Sequence, residues 1–380
     1  MNEASLVAVD ASRHPAPAAG RSLWSEARGR LVRNKAAVAS FIVLGLITLA
    51  ALIGPYFTGH PYDRVYPDYV HVPAQWAPHP NPDKVGPALE RVAARVRARA
   101  EDVSIAGGRV RATLTSARAI DERLLVYFER SDVFGKATVV TRADEGKRLT
   151  IDVPLIERRF LFGTDINGRD MLTRTMHATR VSLAIGLLAT GVALVIGVAY
   201  GALAGFAGGR IDDAMMRMVD VLYSLPFIFF VILLVVFFGR NFVLMFLAVG
   251  AVEWLDMARI VRGQTLSIKR QEYVAAAEAL GVSPGGILLR HVIPNTLGPV
   301  VVYMTLLVPK VILLESFLSF LGLGVQEPGT SLGNLIADGA RGIQTSTYLL
   351  LFPAIVLVAM LSALNFIGDG LRDALDPKDR

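Results

Sequence analysis

Apolar side chains gather into six long stretches: Ala36–Phe57, Val181–Phe206, Val219–Phe238, Phe242–Val261, Leu297–Leu323 and Tyr348–Ile367. A helix needs about 20 mostly apolar residues to cross roughly 30 Å of hydrocarbon, and each stretch meets or approaches that length. Glu253 and Asp256 interrupt the fourth. One such stretch could be the buried helix of a soluble domain, but a chain of 380 residues has no interior large enough for six. The pattern predicts six transmembrane helices. Between the first and second it changes character. Pro61, Pro67, Pro73, Pro78, Pro80, Pro82 and Pro87 predict an extended linker, and Leu89–Ala100 a short basic helix. Alternation at Arg109–Thr115, Leu124–Glu129, Ala137–Thr141 and Leu149–Val153 predicts strands, with turns at Gly107-Gly108, Gly135 and Glu145-Gly146. The chain is thus expected to be an all-α membrane protein with a small α+β insert between helices 1 and 2. No internal repeat is visible.

Composition supports the membrane assignment. Hydrophobic residues make up 53% and charged ones only 19%, against roughly 45–50% and about 25% in soluble chains. That excludes disorder for most of the chain and makes a purely soluble globule untenable. The absence of cysteine excludes disulfides, thiolate zinc sites, cysteine nucleophiles and a lipoprotein anchor. The net charge of +6 matters through its placement. Arg21, Arg28, Arg30, Arg33 and Lys35 precede the first apolar stretch. That leader is long, and Ile53-Gly54-Pro55-Tyr56-Phe57 is a poor cleavage context, so the first helix is expected to stay, with its N-terminus cytoplasmic. Six crossings then put Arg210 and Arg217, Arg259 to Arg290, and Arg372 to Arg380 on the cytoplasmic side. The short opposite loops contribute only Arg240 and Arg341. The basic excess reflects topology rather than a nucleic-acid surface. The expected organisation is a cytoplasmic tail over 1–35, a first helix over 36–58, an extracytoplasmic insert over 59–160 and a core over 161–380. Both termini are expected on the cytoplasmic side of a multi-pass protein in the cell inner membrane.

The segment Gln264–Asn295, between the fourth and fifth stretches, carries the most information. Arg270–Leu280 predicts an amphipathic helix, with Tyr273, Ala276, Ala277 and Leu280 at i, i+3, i+4 and i+7. Alanines at 275, 276, 277 and 279 make its surface small enough for another protein's backbone to approach. Gly281 suits the left-handed position after a helix, and Ser283-Pro284 the start of a second short helix carrying Ile287, Leu288 and Leu289. Pro294 is expected to stop that helix before the fifth span. A structured loop of this length in a tight bundle points to docking.

Glu272-Tyr273-Val274-Ala275-Ala276-Ala277-Glu278-Ala279-Leu280-Gly281, with Arg290-His291-Val292-Ile293-Pro294-Asn295, resembles the EAA loop of ABC importer permeases. Phe162-Gly163-Thr164-Asp165, Gly168-Arg169-Asp170, Ser316–Gly324 and Gly368–Pro377 look like the C-type permease subunit of peptide/nickel importers. The likeness covers Arg33–Tyr56 and Arg159–Arg380, and leaves the insert unmatched. The glutamate that names the motif falls at Ala275, so Glu272 or Glu278 would have to supply its carboxylate. The resemblance implies a six-helix ABC importer permease fold and one half of a translocation pathway for peptides or related small solutes. It implies as partners a second, B-type permease subunit, two ATP-binding subunits and an extracytoplasmic solute-binding protein. Loop 264–295 would couple to the ATPases through Glu272, Tyr273, Ala276, Ala277, Glu278, Leu280, Gly281 and Pro294. ATP and magnesium would be used by those ATPases, with no cofactor bound by this chain and no catalytic or metal site of its own.

The residues themselves agree on that last point. No G-x-x-x-x-G-K-[ST] phosphate loop occurs, and the six histidines form no i, i+4 pair. Gly281-Val282-Ser283-Pro284-Gly285 fits the G-x-S-x-G pattern of a hydrolase, but that motif needs a preceding strand, and here a helix precedes. Gly197, Gly201, Gly205 and Gly209 form a stripe suited to close helix packing in lipid. Pro226 would allow a kink in the third span. Thr164-Asp165 would suit capping of the helix that follows. Charges inside a membrane are costly and face a bundle interior or a pathway, which singles out Asp220, Lys310 and Glu315 as candidates. Lys310 and Glu315 lie on different faces of one helix; an internal ion pair or a lysine snorkelling to the interface would explain the first. Alternatively Lys310 lines the path and favours substrates with a carboxylate. The rival class is a secondary transporter, which would need coupling charges in broken helices.

Overall fold

The computed structural model describes residues 23–239 and 242–375; Arg21, Arg240 and Arg380 lie outside them. Helices α1 (Leu23–Arg33) and α2 (Lys35–Ile53) meet at Asn34, whose side chain accepts from the backbone N–H groups of Ala36 and Ala37 at 3.1 Å and so caps α2. The insert holds α3 (Pro82–Arg95), β1 (Arg99–Ala106), β2 (Arg109–Thr115), α4 (Val126–Glu129), β3 (Thr138–Ala143) and β4 (Arg148–Pro154). Then come α5 (Met171–Ala207), α6 (Gly209–Ser224), α7 (Phe227–Phe238) and α8 (Phe242–Ile268). The remainder is α9 (Glu272–Ala279), α10 (Pro284–Ile287), α11 (Ile293–Phe320), α12 (Leu332–Arg341) and α13 (Tyr348–Leu375).

Four helical stretches are long and apolar enough to cross a membrane: Lys35–Tyr56, Met171–Ala207, Pro284–Phe320 and Tyr348–Leu375. They become five if α6 and α7 count as one broken span. The expectation of six transmembrane helices therefore holds only in part, while the kink expected at Pro226 is present. The third stretch is no single helix, because α6 and α7 meet at 85° around Leu225-Pro226. Proline lacks the N–H and crowds the preceding turn, which is the physical cause of the break. In α8 the four charges Glu253, Asp256, Arg259 and Arg262 lower the hydropathy of the C-terminal half.

The insert has its own hydrophobic core. Its sheet is antiparallel throughout, in the order β1-β2-β4-β3. Val110, Ala112 and Leu114 of β2 and Leu149, Ile151 and Val153 of β4 alternate inward, against Val85, Leu89 and Val92 of α3. Three readings of the pattern need correction here. Residues 122–129 are helical turns rather than a strand, with Leu125 and Phe128 buried. The basic helix begins at Pro82, which occupies its first turn, and ends at Arg95, so residues 99 and 100 belong to β1. The proline-rich stretch is only partly a linker, because Tyr66, Tyr69 and Val72 enter the insert's core.

The loop 162–170 joins insert and bundle. The Thr164 hydroxyl accepts from the Val72 N–H at 2.9 Å, and the Tyr348 hydroxyl of α13 donates to the Thr164 carbonyl at 2.8 Å. Gly168 has φ +80°, and any side chain there would strike the Tyr66 carbonyl. The cap of α5 is Asp170, which accepts from the Thr173 N–H at 2.8 Å, and not Thr164-Asp165. Asp165 instead accepts from the backbone N–H groups of Asn167 and Arg169 at 2.9 and 2.8 Å.

Candidate functional site

Helix α5 is the longest element, 37 residues or about 55 Å. It packs on α8 along a seam where Gly197, Gly201 and Gly205 meet Met257, Ala258, Arg262 and Thr265 so closely that a Cβ would collide. Gly209 does not join this stripe, since α5 has ended and its surroundings are open.

At one end of α5, Arg169 donates from Nε to Asp165 Oδ2 and from Nη2 to Glu327 Oε1, each at 2.7 Å. Burial opposes the Arg169 charge, but the Glu327 and Asp165 carboxylates hold the guanidinium above its ordinary value. The hydrogen bond from Arg169 holds the Glu327 carboxyl below the usual range.

At the other end sits the loop that joins α8 to α11. The α9 helix buries Val274 and Ala277, which form a small core with Ile287 and Val292, against Phe206 of α5 and Ile268 of α8. Glu272, Tyr273, Ala276, Glu278 and Leu280 are exposed, Leu280 to 84%. The predicted stripe therefore splits: Tyr273, Ala276 and Leu280 face out, while Ala277 turns in beside Val274. Val274 decides the orientation, because it is the larger apolar group three residues before Ala277. Gly281 has φ +76° and closes α9, its N–H donating to the Glu278 carbonyl at 3.0 Å and the Val282 N–H to the Ala277 carbonyl at 3.1 Å. Ser283 accepts from the Gly286 N–H at 3.3 Å and caps α10, which removes the hydrolase reading of that serine.

Pro294 does not stop the second short helix. The chain stays helical from Pro284 to Phe320 by passing through a π-helical segment at Leu288–Val292. Widening the turn there accommodates a proline that cannot donate and would crowd the carbonyl of Arg290.

Of the membrane charges, Asp220 accepts from Arg259 Nη2 at 2.8 Å. Glu315 is fully buried and accepts from the hydroxyls of Ser182 at 3.3 Å and Ser319 at 2.7 Å. It thereby ties α5 to α11 beside Ser331, the cap of α12. Lys310 donates to Glu253 Oε2 at 2.7 Å and to Asp256 Oδ2 at 3.0 Å. The structure thus gathers Lys310 with two residues that the hydropathy pattern marks only as interruptions. Their i, i+3 spacing, which puts both on one side of α8, was the available signal. Lys269 was also missed: its Nζ donates to the Phe206 carbonyl at 2.6 Å and lies 5.1 Å from the Phe206 ring centre. Among the described residues no group of three or more histidine, aspartate or glutamate side chains could hold a metal ion.

These features define a multi-pass α-helical membrane protein with a structured connecting loop and a separately packed insert. Residues 197–380 match the family model described as binding-protein-dependent transport system inner membrane component, and residues 22–75 that of the N-terminal TM domain of oligopeptide transport permease C. The oligopeptide transport system permease protein OppC of Escherichia coli (strain K12) is 45% identical over 361 residues, 95% of this chain and 93% of that protein. Its counterpart from Haemophilus influenzae is 41% identical over 95% of this chain and 90% of the relative. The dipeptide transport system permease protein DppC of Bacillus subtilis is 48% identical over 58% of this chain and 69% of its own. A chain of the inward-facing MetNI methionine ABC transporter aligns with a TM-score of 0.45 at 18% identity, over 52% of this chain and 94% of that one. The chain belongs to the C-type permease family of binding-protein-dependent transport systems, as an inner-membrane permease subunit of an ABC importer. The alignment with the Escherichia coli protein is too long to exclude the insert, so the insert belongs to the shared part of the chain.

Proposed function

We propose that this chain forms half of the translocation pathway of an ATP-driven importer of peptides, paired with a B-type permease, two ATP-binding subunits and an extracytoplasmic solute-binding protein. All six apolar stretches cross the membrane in this arrangement, α8 with its charges turned to protein and α6–α7 as one broken span. The termini and loop 264–295 lie in the cytoplasm and the insert lies outside, where it can meet the binding protein. The chain binds no cofactor; ATP and magnesium belong to the ATPase partners. The peptide class comes from the relatives, which are oligopeptide and dipeptide permeases.

One observation carries the reading: α9 is held from behind by its own small core and by Phe206, yet presents Tyr273, Ala276 and Leu280 outward. A small-residue face with an exposed leucine at its tip suits the groove of an ATPase, and Glu272 and Glu278 flank it with carboxylates. Movement of that subunit is then delivered through Phe206 to α5, provided that the partner binds the two pathway states unequally. The test is copurification and uptake in proteoliposomes. Wild-type protein should retain its ATP-binding subunits and take up peptide only with ATP, whereas Leu280→Arg should release them. Uptake driven by an ion gradient in vesicles without ATPase subunits would instead establish a secondary transporter.

A further inference from the structure

Lys310 is the one charged residue among those lining a groove of about 620 Å³ on the exposed side of α11. Leu313, Phe317 and Phe320 continue the wall from it, toward Ile336 of α12 and Leu357 of α13. All three are exposed, so the groove faces outward from the subunit. Behind the lysine its Nζ sits between Glu253 Oε2 and Asp256 Oδ2. Two carboxylates against one ammonium leave one negative charge in excess. The next cations on α8 do not supply the balance, because Arg259 answers Asp220 and Arg262 answers Asp212 through two bonds of 2.6 Å. Among the described residues neither Glu253 nor Asp256 has another ion pair. Glu253 is buried, whereas Asp256 is partly exposed and is the carboxylate that an incoming group can reach.

An unbalanced charge beside an apolar wall at membrane depth is costly and attracts a mobile ion of the opposite sign. We infer that Glu253, Asp256 and Lys310 form a subsite for a primary ammonium group of the transported peptide, with the groove along Leu313 and Phe317 taking an apolar side chain. The inference rests on the peptide-import reading above. It reverses the sign expected from Lys310 considered by itself: a lone lysine would favour a carboxylate, but its two partners outweigh it. The lysine's part is to hold both carboxylates at one place and to keep their excess at a single charge, weak enough for the substrate to leave.

The experiment compares uptake of alanyl-leucyl-alanine with that of its N-acetyl form, using the complete importer in proteoliposomes. The binding protein is the same throughout, so only a change of the ratio between variants reports on the permease. Asp256→Asn makes the cluster neutral and should lower the ratio of free to acetylated peptide about tenfold, as expected for loss of one charge at short range. Lys310→Met leaves two negative charges and should raise the ratio, while Lys310→Arg should restore it. The opposite responses distinguish charge from poor folding, which would lower uptake of both peptides alike. An N-acetyl peptide with lysine in place of leucine separates the two sources of ammonium: recovered uptake assigns the subsite to a side chain, and none assigns it to the peptide terminus. Ratios that stay at the wild-type value in both Asp256→Asn and Lys310→Met would overturn the inference, as would a ratio lowered by Lys310→Met. Failure of wild-type importer to take up any peptide would instead remove the function proposed above.

Discussion

Gly281 shows how much a single backbone angle can decide. Its φ of +76° lets the chain leave α9 and start α10 at once, while two hydrogen bonds close the helix end. No atom lies within 4 Å of where its Cβ would be, so the cost of a side chain is conformational, about 1–2 kcal/mol. Asparagine tolerates this region and a β-branched residue does not. Gly281→Asn should therefore keep ATP-dependent uptake near wild type, and Gly281→Val should abolish it with ATPase binding weakened or hydrolysis uncoupled. Equal uptake in the two variants would remove this glycine from the coupling mechanism. The need for a left-handed residue was legible from the order Leu280-Gly281-Val282-Ser283-Pro284. The partition of Ala276 outward and Ala277 inward was not, because four alanines look alike until a neighbouring core chooses among them.

At the scale of elements, α5 links the loop to the opposite end of the bundle. Lys269 fastens this link, donating to a carbonyl in the last turn of α5, where unpaired acceptors and the negative end of the helix dipole favour a cation. Losing that charged hydrogen bond should cost about 1–2 kcal/mol of anchoring. Lys269→Met should keep the ATP-binding subunits but lower the peptide taken up per ATP hydrolysed, and Lys269→Arg should restore the ratio. An unchanged ratio in Lys269→Met would mean that α5 receives its motion elsewhere. Sequence could place neither group, since residues 206 and 269 are brought together only by the α5–α8 seam. Pro226 and Pro294 make a related point. The same residue type stands at an 85° break in one place and follows a π turn within a continuous helix in the other, so proline by itself does not fix the outcome.

Over the whole molecule, the insert couples its stability to pH. His60 sits between the Tyr66 hydroxyl at 3.0 Å and the Arg159 carbonyl at 3.2 Å, an arrangement that a neutral imidazole satisfies with one acceptor and one donor. Burial, with Arg158 and Arg64, pushes its pKa below the ordinary value against the pull of Asp170. Burial and Lys84 do the same to His79. A group whose pKa is depressed by folding contributes stability in full above its unfolded value, about 6.5, and loses it as the pH falls through the folded value. The detergent-solubilised protein should therefore melt at a lower temperature at pH 5.5 than at pH 7.5. The double variant His60→Gln, His79→Gln should show a smaller difference. Asp132, raised by burial, acts in the opposite direction at more acidic pH. An identical difference in the double variant would locate the titration elsewhere.

Hydropathy by itself determined that the chain lives in a membrane, and the motifs around residues 163, 168, 281 and 322 determined its family. Both are local properties, set by the run of side chains against lipid and by which residues accept a given turn. β2 and β4 were legible for the same reason, since each alternates against α3, whereas β1 is exposed along nearly its whole length and has no alternation to read. Tertiary structure decided the rest. It turned Glu253 and Asp256 from flaws in an apolar stretch into the partners of Lys310, and so fixed the sign of the charge beside the groove. Ion pairing depends on distances between helices far apart in the chain, and those distances exist only once the helices have packed.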